Sequence, residues 1–240
     1  MTEERKEQLK ENFDRVRGEL QARNPNAVLL AATKTVPVEE INYAIDHLGL
    51  CYIGENRVPE LLEKYDAIHK VTPSGKPVEI HFIGHLQTNK VKYIIDKVDV
   101  IQSLDRLSLA EEIQRQAEKH DCTVDVLVEV NIGREEAKSG VDPDQVEDFM
   151  DKISDFPRLR VRGMMTMAPK CASREEYFKY FAEMRQIFID ISQKKMHNRL
   201  EAYLSMGMSD SYTVALEAGS DMIRVGSTLF GARIYPEGRK

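Results

Sequence analysis

Leu9, Phe13, Val16 and Leu20 recur at spacings of four, three and four on an otherwise charged N-terminal stretch, which predicts an amphipathic helix. Beyond it the rhythm changes. Short apolar runs of strand length stand at 27–33 (AVLLAAT), 50–54, 79–84, 98–104, 124–132, 160–165, 202–206 and 221–226. Helix-like segments fill the spaces between them, among them RLSLAEEIQRQAEKH (106–120) and REEYFKYFAEMRQIFIDISQKK (174–195). Eight strands, each followed by something helical, predict a parallel sheet wrapped by helices. That count favours closure into a single (β/α)8 TIM barrel, an α/β fold with an extra N-terminal helix. An open doubly wound sheet would announce a glycine-rich phosphate loop after its first strand. Neither G-x-G-x-x-G nor G-x-x-x-x-G-K-[ST] stands there. VTPSGKPVE (71–79) reads as a loop before the third strand rather than a linker, so residues 1–240 are expected to form one domain.

Composition narrows the function classes. A formal charge of -6 with no basic run argues against nucleic acid or an anionic membrane surface as partner. The charged N-terminus has no apolar signal-peptide region, and no stretch approaches the ~20 apolar residues of a membrane span. Cys51, Cys122 and Cys171 are odd in number and far apart, without C-x-x-C spacing, which argues against a disulfide framework and a structural zinc site. A reducing cytoplasm is the expected compartment.

In a barrel of this kind the active face lies at the C-terminal ends of the strands. Read in order, those ends carry Lys34, Glu55-Asn56-Arg57, His85, Ser103, Asn131, Met165, Ser205 and Arg224-Val225-Gly226. Lys34 has two readings. It could snorkel to the rim and pair with a carboxylate such as Glu55. Alternatively, partial burial and cationic neighbours could keep its amine neutral often enough to attack an aldehyde, for which pyridoxal 5'-phosphate, held as a Schiff base, is the natural candidate. Such a cofactor needs a phosphate cup, and the end of the chain offers one. Gly207 permits close backbone approach, Ser205 and Ser209 offer hydroxyls, and Gly226 and Ser227 present consecutive N–H groups at the start of a short helix. Arg224, two residues before Gly226 on the same strand side, could face a pyridine nitrogen, or form an ion pair with Asp221 or Glu217. Asn56 could reach a ring hydroxyl or cap the following helix. His81 and His85 share a strand face but have no third ligand nearby, so one interior and one rim histidine is the expectation, and no metal site.

The segments AATKT, IGENRVPE, HFIGHLQTNK, SLDR, KSGV, GMMTMAP, LSMGMS and IRVGSTLFGAR follow one another between residues 28 and 233. Together they resemble the pyridoxal phosphate homeostasis proteins, a family whose single barrel is similar to the N-terminal domain of alanine racemases. The resemblance implies Lys34 as the Schiff-base lysine and Arg224 at the pyridine nitrogen. It also implies Ser205, Gly226 and Ser227 at the phosphate, with Asn56 lining the pocket. It implies a role in vitamin B6 and amino-acid balance without robust catalysis, with apo forms of pyridoxal-phosphate enzymes as candidate recipients. Two positions depart from the family pattern: Ser211 stands where an aspartate is usual, and Met164 where leucine is usual.

Three functions compete. A racemase of this barrel type uses a second base from a separate C-terminal β-domain, for which the fourteen residues after Gly226 leave no room. A cofactor-binding protein is therefore favoured over a racemase. An enzyme of phosphorylated metabolites, with Lys34 as an ordinary cation, is the third reading. The apolar stripe of the first helix either covers the barrel or docks against a partner; a monomer is expected.

Overall fold

The computed structural model describes residues 1–195 and 202–232. In it the apolar runs become eight parallel strands: β1 (Val28–Ala32), β2 (Tyr52–Glu55), β3 (Glu79–Phe82), β4 (Val100–Leu104), β5 (Val124–Val130), β6 (Leu159–Thr166), β7 (Tyr203–Ser205) and β8 (Met222–Val225). They pair in chain order, and β8 pairs back onto β1 to close the barrel, with Leu30 opposite Arg224. Parallel strands buried on both faces carry continuous apolar runs, which is why β1 shows no polar alternation; β4 is buried throughout as well, though it carries Gln102 and Ser103.

The outer layer is α1 (Glu3–Arg23), α2 (Val38–Leu48), α3 (Val58–Lys64), α4 (Leu107–Lys119), α5 (Val146–Ile153), α6 (Arg174–Lys195), α7 (Tyr212–Glu217) and α8 (Ser227–Phe230). After β3 the chain makes only a 3-10 segment, Thr88–Tyr93. Val91 within it, and Ile94 and Ile95 just beyond, are buried in the main core. The main core lies between the strands' outer faces and these helices.

The predicted stripe on α1 is covered within the chain. Leu9, Phe13, Val16 and Leu20 are buried, and Phe13 meets Phe230 of α8 edge-on at 5.8 Å. Asn12 Nδ2 donates to the Leu229 carbonyl at 3.0 Å and Arg5 Nη2 to that of Phe230 at 2.6 Å, so the helix also satisfies carbonyls at the end of α8.

Inside the barrel, residues of opposite strand parity form two small apolar clusters, one around Leu30, Ile83 and Met222 and the other around Val100, Leu127 and Met165. His81, Gln102, Ser205, Glu129 and Arg224 are buried as well. A barrel interior this polar is held by hydrogen bonds, because an unpaired buried polar group costs on the order of 1–3 kcal/mol. At the N-terminal mouth Asp125 pairs with Arg160 and Arg162.

Candidate functional site

The C-terminal mouth holds a cavity of about 580 Å³. Lys34, Asn56, Arg224, Gly226 and Ser227 all line it, together with Arg5, Met167, Met208, Ser209 and others. Five of the six residues singled out in the sequence thus converge on one space, from β1, β2 and β8.

Lys34 sits half-buried in the turn between β1 and α2, and its neighbours are clamped from below. Lys64 Nζ donates to the Thr33 carbonyl at 2.9 Å, to Glu60 Oε1 at 2.6 Å and to Glu55 Oε1 at 3.2 Å. Thr33 Oγ1 donates to the same Glu55 oxygen at 2.7 Å, and the Thr35 N–H donates to Glu60. Thr35 has φ +64°, a left-handed conformation uncommon for a β-branched residue, and the clamp holds it there. The hydrogen bonds of Glu55, weighed above as a rim partner for Lys34, go to Thr33 and Lys64, and its carboxylate is fully buried. Burial holds its pKa above the usual carboxylate range, opposed by Lys64 and the Thr33 hydroxyl.

On the next strand, Asn56 Oδ1 is buried without a hydrogen-bond partner among the described residues. An orphaned acceptor facing a cavity is a place for a ligand hydroxyl. At the opposite wall Ser209 Oγ accepts the N–H groups of Gly226 and Thr228, each at a loose 3.4 Å. Backbone N–H groups gathered in this way are the kind of donor set that can take an anion's oxygens. The loop carrying Ser209 depends on Gly207, with φ +95°; a Cβ there would come within 2.5 Å of the Ala215 Cβ.

Ser205 is not among the residues lining the cavity, contrary to its expected place at the phosphate. It is fully buried, accepting from Arg224 Nη1 at 2.7 Å and donating to Gln102 Oε1 at 2.8 Å. The last residue of β7 points into the barrel beneath Arg224, so it orients the cavity floor.

Arg224 is that floor. Nη2 donates to the Thr166 carbonyl at 2.8 Å. Neither ion pair considered for it forms: Asp221 lies by Arg185 at 3.4 Å, and Glu217 pairs with Arg23 and Arg174. Burial pushes the Arg224 pKa down to about 10, with Glu129 opposing the drop, so the guanidinium stays protonated at neutral pH.

Glu129 is buried on β5, and its pKa is pushed up to about 7 by burial and then by Asp105, with Arg224 and Arg106 opposing. The unfolded chain ionises this carboxyl near 4.5 while the folded one retains its proton up to about 7. Stability from this group is therefore full below the unfolded pKa and falls as pH rises through that window. Glu129→Gln is expected to flatten that fall and to add on the order of 2–3 kcal/mol at pH 8, measured by urea unfolding at several pH values. An unaltered pH profile would contradict the assignment.

The two histidines separate as expected. His81 is buried in the interior, and His85 is at the rim beside Ser139 and Asp105. No group of three metal-ligating side chains occurs among the described residues.

Residues 5–234 match the family described as alanine racemase, N-terminal domain. The pyridoxal phosphate homeostasis protein of Aquifex aeolicus is 43% identical over 87% of this chain and 88% of its own length. The chain belongs to the pyridoxal phosphate homeostasis protein family. Among solved structures similar to this family member is an unknown protein from Bifidobacterium adolescentis, 30% identical with TM-score 0.89 over 96% of this chain and 97% of that one. PipY of Synechococcus elongatus, solved with PLP bound, is 28% identical with TM-score 0.79 and matches 93% of this chain and all of its own.

Two features of this homeostasis-family barrel were not readable beforehand. The Lys64–Glu55–Glu60 clamp left one trace, the Glu60–Lys64 spacing of four on α3, but nothing showed Lys64 reaching back to β1. Arg5 of α1, which grips Glu40 through Nε at 2.9 Å and Nη2 at 2.8 Å, closes the cavity wall from a helix with no local mark of a site.

Proposed function

We propose that this chain binds pyridoxal 5'-phosphate in the cavity, with Lys34 as the amine bonded to its aldehyde carbon as a Schiff base. On this reading the chain is a single-domain cytoplasmic monomer that acts in cofactor homeostasis rather than in rapid turnover. The observation that carries the reading is the convergence on one space of an amine, an orphaned amide oxygen, a donor-only guanidinium and the Gly226 N–H loosely held by Ser209. The cavity is also of cofactor size.

The residues fit the group part by part. Gly226, Ser227 and Ser209 would take the phosphate, where Gly226 also passes β1 closely: a Cβ on it would lie 3.1 Å from the Ala32 carbonyl oxygen. Asn56 Oδ1 would accept from the ring hydroxyl. Arg224, protonated and with two N–H groups already tied to Ser205 and Thr166, would present a donor to the pyridine nitrogen and keep a lone pair there. Bound in this way, the cofactor supplies an electrophilic carbon and a ring whose capacity as an electron sink is weakened.

Two facts favour holding over catalysis. Among the described residues that line the cavity, no tyrosine, histidine or cysteine stands as a second base opposite Lys34. Of the two described carboxylates that line the cavity, Glu40 is engaged by Arg5 and Asp210 is exposed on the loop beside Ser209. The α1 stripe being buried within the chain supports a monomer that is free to meet apo enzymes of the same cofactor. No described helix is long and apolar enough to cross a membrane.

Equimolar pyridoxal 5'-phosphate added to the purified protein is expected to give a yellow protein that survives gel filtration. It should show no rapid racemisation of L- or D-alanine. A protein that remains colourless would refute binding, and fast racemisation would refute the homeostasis role.

A further inference from the structure

Arg224 does not end at Ser205. Ser205 Oγ donates to Gln102 Oε1 at 2.8 Å, Gln102 Nε2 lies 2.8 Å from His81 Nδ1, and His81 Nε2 lies 3.4 Å from Glu79 Oε2. Glu79 opens β3 and is partly exposed, whereas Arg224 is near the end of β8. The line therefore crosses the barrel from the cavity floor towards the N-terminal mouth. Ser205, Gln102 and His81 are each fully buried, so the links from Arg224 to His81 are shielded from water and only the last, at Glu79, nears the surface.

Its direction follows from which atoms meet. A guanidinium only donates, so Ser205 accepts from it, and because Gln102 presents Oε1 to Ser205 the hydroxyl gives its own proton onward. Gln102 receives that proton on Oε1, which turns its amide nitrogen to His81. Nδ1 of His81 must then offer a lone pair, which leaves the ring proton on Nε2, facing the Glu79 carboxylate. Four donors in series thus point the same way, and such chains polarise one another.

We propose that Ser205, Gln102 and His81 form a one-way donor relay that fixes Arg224 in the cavity floor and couples it to Glu79 at the far end of the barrel. Gln102 and His81 are positioning residues: neither touches the cavity, but both set how Arg224 presents its remaining N–H groups. The coupling to a bound cofactor rests on the function proposed above; the relay itself does not.

The relay is tested by nitrogen NMR of the full-length protein with 15N-labelled histidine, the His81 signals being assigned from His81→Asn. In the ligand-free protein His81 is expected as the neutral tautomer protonated at Nε2; a proton on Nδ1 would overturn the relay. Ser205→Ala removes one oxygen two links away and is expected to shift both His81 ring nitrogens; unchanged signals would also overturn it. Gln102→Leu cuts the chain next to the ring, and Ser205→Ala serves alone if that variant does not fold. Pyridoxal 5'-phosphate is expected to move the His81 signals in the unaltered protein and not in Ser205→Ala. Cofactor uptake seen in the visible spectrum without any movement at His81 counts against the coupling. Absence of uptake refutes the proposed function instead, and the ligand-free tautomer and the Ser205→Ala shift then decide the relay.

Discussion

Lys34→Ala is expected to fold normally and to lose all covalent attachment of pyridoxal 5'-phosphate. The fold should tolerate the change because the clamp beneath the turn grips the backbone on either side: Lys64 takes the Thr33 carbonyl and Glu60 the Thr35 N–H. A half-buried rim side chain adds little to the core, so unfolding free energy should change by no more than about 1 kcal/mol. Chemistry should respond in an all-or-none way, since an alanine methyl group cannot bond to an aldehyde. Borohydride treatment of the loaded protein, followed by peptide mapping, should place the label on Lys34 and find none in the variant. A label trapped on another lysine, or undiminished in Lys34→Ala, would remove the central residue from the site.

Lys64→Met should do the reverse, leaving the amine in place and undermining its support. Glu55 is fully buried, and its Oε1 accepts from Lys64 and the Thr33 hydroxyl. Removing one partner of a buried pair leaves an uncompensated charge, at a cost of about 3–5 kcal/mol. For a chain of this size that lowers Tm by on the order of 10 °C. The pH dependence gives a sign to check. Burial already holds the Glu55 pKa above its ordinary value, and loss of Lys64 raises it further. At pH values below the unfolded pKa, near 4.5, the carboxyl is neutral in both states, so the deficit should be small there and grow as pH rises. Adding Glu55→Gln should recover part of the loss at pH 8, measured by thermal unfolding of the single and double variants. A deficit that is constant with pH, or a double variant no better than Lys64→Met, would mean that Lys64 acts through packing alone.

The barrel was legible because alternation of apolar runs and amphipathic segments is a local signal, and β1 to β8 fall close to the runs that announced them. Lys34 was legible for the same reason: it interrupts an apolar run where a strand must end. Depth within the barrel was not. The run at 202–206 shows that Ser205 closes β7, but not that its side chain is beneath Arg224 rather than beside it. Parity fixes which face a residue takes, and the layer it occupies follows from strand stagger, which only pairing across the sheet determines. Partners that reach back from a helix to a strand end were equally hidden. One reading offered Glu55 to Lys34 at the rim, while the cation that reaches it is Lys64, nine residues on, at the far end of α3.

The closure of β8 onto β1 and the packing of Phe13 on Phe230 have a consequence for the newly made chain. The ribosome delivers Lys34 well before the wall that would grip an anion, which lies beyond β7 and β8. Pairing the two ends of so long a segment is slow, because the loop between them must be closed before any contact rewards it. Nascent polypeptides that stop short of β8, and fragments cut there, would therefore leave a reactive vitamer alone until β8 has paired with β1.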